Sequence, residues 1–85
     1  MKIYYTIREI ADFQGVAPSK VRFYADELNL LPYGKKDGVK KYKIDQKDKL
    51  ITAITLADSV GMKVEGIKKA IKGGYAYSIL KAYVE

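Results

Sequence analysis

The sequence has no cysteine and no histidine. Disulfides, thiolate metal sites, cysteine nucleophiles and imidazole acid–base chemistry are therefore excluded. A chain without cysteine fits a reducing cytosol. No apolar run approaches the roughly 18 residues that cross a bilayer. The N-terminus, MKIYYTIREIADF, carries acids too early for a signal peptide. These absences lead us to expect a soluble, cytoplasmic protein that neither enters a membrane nor leaves the cell. What remains is short. Eighty-five residues make one domain with one small core and no room for a deep substrate cavity.

Charge is plentiful and unevenly placed. Sixteen basic against ten acidic residues leave a net charge of +6. Residues 1–34 balance at four of each, whereas residues 35–49 hold seven lysines against three aspartates, or 7 − 3 = +4. Residues 50–72 add four lysines against Asp58 and Glu65, or 4 − 2 = +2, and the tail from Gly73 is neutral. Concentrating the excess in one 15-residue segment points to a polyanionic partner. A lysine-rich solubilising surface is the plainer alternative.

The apolar spacing divides the chain into helices around a hairpin. TIREIADFQGV opens with a capping box, Thr6 at the N-cap and Glu9 three residues on. Ile7, Ile10 and Ala11 supply the inward face, and Gly15 closes the helix because glycine accepts the left-handed turn. Pro18 suits the first turn of a second helix, whose buried stripe is Val21, Tyr24 and Leu28. Two short helices joined by a tight, glycine-containing turn are the signature of a helix-turn-helix.

PYGKKDGVKKYKI then reads as a hairpin, with turn signals at Gly34 and Asp37-Gly38 and a returning strand at 39–42. Lysines on both arms make it a wing. Asp45 is the expected N-cap of a third helix carrying Leu50, Ile51, Ile54 and Ala57 inward and ending at Gly61. MKVEGIKKAIK is a short fourth helix, with Val64, Ile67 and Ile71 inward. Gly66 inside it costs about 1 kcal/mol relative to alanine, and Gly73-Gly74 stop it. The tail YAYSILKAYVE fits a helix with Ile79, Leu80, Tyr83 and Val84 on one side. Its tyrosine and β-branched content also suits a strand, and the helix is preferred.

Five stretches in order, YTIREIA, GVAPSKVRFY, LNLLP, GVKKY and VGMKVEGIKKAI, resemble the DNA-binding domain of the MerR family of bacterial regulators. That family begins Y-T-I-x-E-I/L-A, continues with G-V-S and an R-Y/F-Y/W recognition helix, and then has L-L-x-P, a basic wing and a further helix pair. The resemblance covers residues 5–72, leaving 73–85 as a short C-terminal extension for packing or oligomerisation. It implies a mainly α fold: a winged helix-turn-helix of about four helices with a two-stranded β wing and a short C-terminal element.

Three departures stand out. Ala17 occupies the usual serine cap of the recognition helix, a loss of about 0.5–2 kcal/mol. Lys63 replaces a serine or threonine cap. Lys40 replaces the wing arginine, turning a bidentate contact into a point charge. The long dimerisation helix and effector domain of full-length family regulators are not in these 85 residues. The chain is therefore either a domain of a longer protein or a stand-alone reader, and stand-alone domains of this kind also resemble phage and mobile-element excisionases.

On this resemblance the second helix enters the major groove by its N-terminal part. Ser19 and Lys20 face bases or phosphates. Arg22 is the strongest candidate, because its fork suits phosphate or guanine edges; the competing reading is an intrachain pair with Asp26. Phe23 either meets a thymine methyl or packs under the wing. Tyr24 either lends its hydroxyl to phosphate or sits in the core. Lys35, Lys36, Lys40 and Lys41 straddle the backbone beside the minor groove, while Tyr42 is core or contact. Tyr5 and Thr6 lie at a helix N-terminus that can hold a phosphate, or simply cap it.

No catalytic constellation is present. Asp26-Glu27 and Asp45/Asp48 read as solvated charges, and no phosphate-cradling glycine motif occurs. No enzyme activity, metal, cofactor or small-molecule effector is expected. The expected partner is double-stranded DNA, bound as a nucleoid-associated protein. One module buries only about 600–1,000 Å², so a homodimer or a cooperative array is expected. The leading reading is a small transcriptional regulator. The alternatives are an excisionase-like DNA-bending factor and a protein-interaction module that uses the tyrosine-rich tail.

Overall fold

The computed structural model describes residues 3–36 and 38–84, with side chains at all of these except 35, 36 and 84. Its elements run β1 (Tyr4–Tyr5), α1 (Ile7–Gln14), α2 (Pro18–Glu27), β2 (Gly34–Lys36), β3 (Val39–Lys43), α3 (Ile44–Thr55), a π-helical turn (Leu56–Val60), α4 (Val64–Gly73) and α5 (Ala76–Val84).

The start of α1 is built as its sequence demands. The Glu9 N–H donates to Thr6 Oγ1 at 3.1 Å, and the Thr6 N–H donates to Glu9 Oε1 at 2.9 Å. Each residue satisfies a donor the helix cannot satisfy itself. Gly15 ends the helix at φ +70°, a conformation that costs other residues free energy, and its N–H returns to Ala11 and Asp12. The chain therefore reverses within three residues, and Pro18 opens α2. Ala17 caps α2 with no side-chain bond, and Lys63 does the same for α4.

The core is a single cluster. Ile10 from α1, Val21 from α2, Leu50 and Ile54 from α3, Leu56 from the π turn and Ile67 from α4 are wholly buried. Tyr24 and Tyr42 are also buried. No polar or charged residue is buried among those described, so the hydrophobic effect has little desolvation cost to offset.

The sheet is one strand larger than expected. β2 and β3 form the antiparallel wing, with Lys35 opposite Lys40 and Lys36 opposite Val39. β1 pairs with the other edge of β3, Tyr4 opposite Lys43 and Tyr5 opposite Tyr42, giving the order β1-β3-β2. A two-residue strand carries too little alternation to be seen in sequence, and only its long-range partner defines it. Gly38 turns the hairpin at φ +77°, and Asp37 lies outside the described residues.

Asp45 is not the N-cap of α3. The helix starts at Ile44 and Lys43 is the cap residue, since β3 runs directly into the helix. The Gln46 side chain accepts the Lys43 N–H at 2.8 Å and donates to the Leu31 carbonyl. Asp45 sits in the first turn, where its charge still suits the helix dipole.

The third helix ends at Gly61 as expected, but not as a regular α-helix. Its last turn widens into a π turn that ends at Gly61, φ +82°. The wider turn carries Leu56 fully inward and leaves Ala57 half-buried. The tail is helical, with Ala76 buried and Ile79 and Leu80 half-buried against the core. Tyr83, expected on that stripe, is instead exposed; the side chain of Val84 lies outside the described residues.

Candidate nucleic-acid interface

Three elements meet around an open cleft of about 610 Å³. The start of α1 contributes Thr6, Ile7 and Arg8. Arg22, Ala25 and Asp26 of α2 form the second wall, and Gly38, Val39, Lys40 and Tyr42 of the wing form the third. Among the described residues three cations, Arg8, Arg22 and Lys40, converge here against one acid, Asp26.

Each cation is placed by a local rule. Arg22 lies one turn before Asp26 on the face of α2 opposite the Val21–Tyr24 side. Lys40 and Tyr42 share one side of β3, because successive strand residues alternate. Arg8 is in the first turn of α1, where a cation opposes the helix dipole. All three side chains are exposed, and none has an ion-pair partner among the described residues. The competing Arg22–Asp26 salt bridge does not form.

Tyr42 forms the base of the cleft. Burial pushes its phenol above the usual tyrosine range, the Asp26 carboxylate adds to the rise, and the Arg22 guanidinium opposes it. The hydroxyl therefore stays neutral, able to donate, at any physiological pH.

Of the residues singled out by sequence, Thr6, Arg22, Lys40 and Tyr42 line this cleft. Thr6 spends its hydroxyl on the capping box. Ser19 and Phe23 are exposed on a neighbouring stretch of α2. Phe23 is about half exposed and meets Tyr24 edge-on, centroids 5.1 Å apart. Lys20 turns the other way and forms an ion pair with Asp58 of the π turn. Tyr24 is a core residue. Tyr5 is half-buried, with Lys47 Nζ 4.7 Å from its ring centre. Lys41 is half-buried next to Lys40 in β3. Strand β2 carries the backbones of Lys35 and Lys36, and their side chains lie outside the described residues.

Arg8 was missed. The signal available was its position: an arginine in the first turn of a helix has no stabilising reason to be there. One further cation sits on a tyrosine away from the cleft. Lys43 Nζ lies 3.9 Å from the Tyr33 ring, and Tyr33 stacks on Tyr4 at 5.4 Å.

A basic cleft framed by a helix-turn-helix and a wing defines a DNA-binding module of the winged helix-turn-helix class. The model of the MerR HTH family of regulatory proteins matches residues 5–74, which is 74 − 5 + 1 = 70 of the 85 residues. The chain belongs to that family of DNA-binding transcription regulators. No curated protein matches it significantly. Among the described residues no helix is long and apolar enough to cross a membrane, and no group of acidic residues could hold a metal ion.

Proposed function

We propose that this chain binds double-stranded DNA with sequence preference, as a small transcriptional regulator. The observation that carries the reading is the convergence of Arg8, Arg22 and Lys40, from three separate elements, on one open cleft. The N-terminal half of α2 enters the major groove, where Ser19 and Arg22 meet base edges or phosphates. The wing lies along the backbone, with Lys35, Lys36 and Lys40 as phosphate contacts that position without reading sequence. Lys20 joins them only by leaving Asp58, so it contributes less than its charge suggests. Phe23, exposed beside Ser19, meets the thymine methyl or sugar. Tyr24 acts by holding α2 against the core.

One module of this size buries too little surface for tight specific binding alone. The regulator therefore works as a homodimer or cooperative array, for which the exposed Tyr77 and Tyr83 of α5 offer apolar surface. A DNA-bending role in recombination would use the same cleft, and a circular-permutation bend assay separates the two. A reading with no DNA at all rests on those same tyrosines; it requires Tyr83→Ala to abolish activity that Arg22→Ala leaves intact.

The test is fluorescence anisotropy on two duplexes across a salt series, one from the flank of the protein's own gene and one with the same bases scrambled. Each neutralised phosphate contributes about −0.9 to the slope of log K against log salt. Four to six contacts thus give roughly −4 to −5. That slope with preference for the native flank supports the reading, and no binding to either duplex at low salt refutes it.

A further inference from the structure

A second concavity lies away from the DNA cleft and shares no residue with it. Its floor is apolar: Leu28 and Leu30 follow α2, and Ile71 comes from α4. Its rim is cationic, with Lys49 of α3 and Lys68 and Lys72 of α4 against one acid, Glu27, among the described residues. The hollow holds about 440 Å³. It continues past Ile71 and Lys49 into a smaller hollow of about 190 Å³ that ends at Tyr77 of α5. Tyr77 is 75 % exposed. Asp48, on that second stretch, is matched by Lys47 at 3.3 Å. The result is one open groove with a half-buried apolar floor and three lysines at its edge.

We propose that this groove docks an acidic amphipathic helix of a partner protein. Apolar side chains on one face of such a helix fill the floor, and carboxylates flanking them meet the lysines; this is the helix-in-groove mode of recognition. Charge selects this occupant. A second copy laid groove to groove would set Lys49, Lys68 and Lys72 against the same lysines of its partner. A DNA backbone satisfies the lysines but leaves Leu28, Leu30 and Ile71 unpartnered. The pairing of Lys68 with Glu65 is long, at 3.7 Å, and solvent-exposed, so it yields readily to a partner's carboxylate. The groove lies outside the cleft, and the two surfaces can be occupied together.

The probe is a fluorescein-labelled synthetic peptide of about 14 residues, with leucines at i, i+3, i+4 and i+7 and glutamates beside them, titrated into the full chain. Two variants of equal net charge, 6 − 2 = +4, are compared: Lys68→Gln/Lys72→Gln in the groove, and Lys63→Gln/Lys81→Gln outside it. The expected result is a loss of about tenfold in peptide affinity for the first pair alone. Amide shifts should concentrate at Leu28, Leu30 and Ile71, and a peptide with serine for leucine should not bind. Equal weakening of both variants overturns the proposal, since net charge alone would then explain binding. Undiminished binding of the serine peptide overturns it equally. So does a selective loss of duplex affinity in the groove variant, which would place the groove on the path of DNA.

Discussion

Removing the three cations of the cleft makes a demanding test, because its size depends on salt in a way few other mechanisms reproduce. The perturbation is Arg8→Gln, Arg22→Gln and Lys40→Gln together. All three side chains are exposed and unpaired among the described residues, so folding should be spared. The net charge falls to 6 − 3 = +3. If each cation neutralises one phosphate, the slope of log K against log salt becomes shallower by about 3 × 0.9, or about 2.7. With the 1 M intercept unchanged, affinity drops about 500-fold at 0.1 M salt but only about 12-fold at 0.4 M. Anisotropy on a fixed duplex measures both, with thermal melting as the folding control. A loss of the same factor at both salts would refute the reasoning, because a purely electrostatic contact cannot be salt-independent. An unchanged slope would show that the duplex does not occupy this cleft. The single variants apportion the effect, and Arg8→Gln alone checks the residue that sequence did not reveal.

Other expectations follow from the same geometry. Asp26 is the only acid lining the cleft among the described residues, so Asp26→Asn should tighten duplex binding by up to about fivefold, the equivalent of about 0.2–1 kcal/mol for an exposed charge; weaker binding would mean that the carboxylate itself reads a base. Thr6→Ala removes half of the capping box and should cost about 0.5–2 kcal/mol, lowering the melting midpoint by several degrees in a domain this small. Tyr42 is held neutral by burial, so its folded pKa lies above the unfolded value near 10. Between the two values the folded state holds more protons, and stability is lost as pH rises through that window. Equilibrium denaturation above about pH 10 should therefore show a steeper decline in the native protein than in Tyr42→Phe, and parallel curves would contradict the assignment.

Much of the fold was legible because its rules are local. The Thr6–Glu9 box, the Gly15 reversal and Pro18 lie within a few residues of the bonds they make, so spacing alone located both helices of the helix-turn-helix. The wing was legible for the same reason. Asp45 misled because a good capping residue was available two positions too late. The strand before it fixed the backbone at Lys43, and Gln46 did the capping. The π turn had no local signature, and it decided that Leu56 rather than Ala57 reached the core.

The interface divides along the same line. Sequence by itself determined that a basic hairpin follows a glycine-turned helix pair, and that Arg22 and Lys40 belong to them. Those facts depend on composition and short-range spacing. Only tertiary structure decided which charges act together. It brought Arg8 into the cleft from the start of α1 and turned Lys20 away to Asp58 across 38 positions of sequence. It also set Lys68 and Lys72 beside Leu28 in a groove that no stretch of sequence spells. The physical reason is that a side chain's charge is read from its own residue, whereas its field is shared with whatever the fold packs beside it.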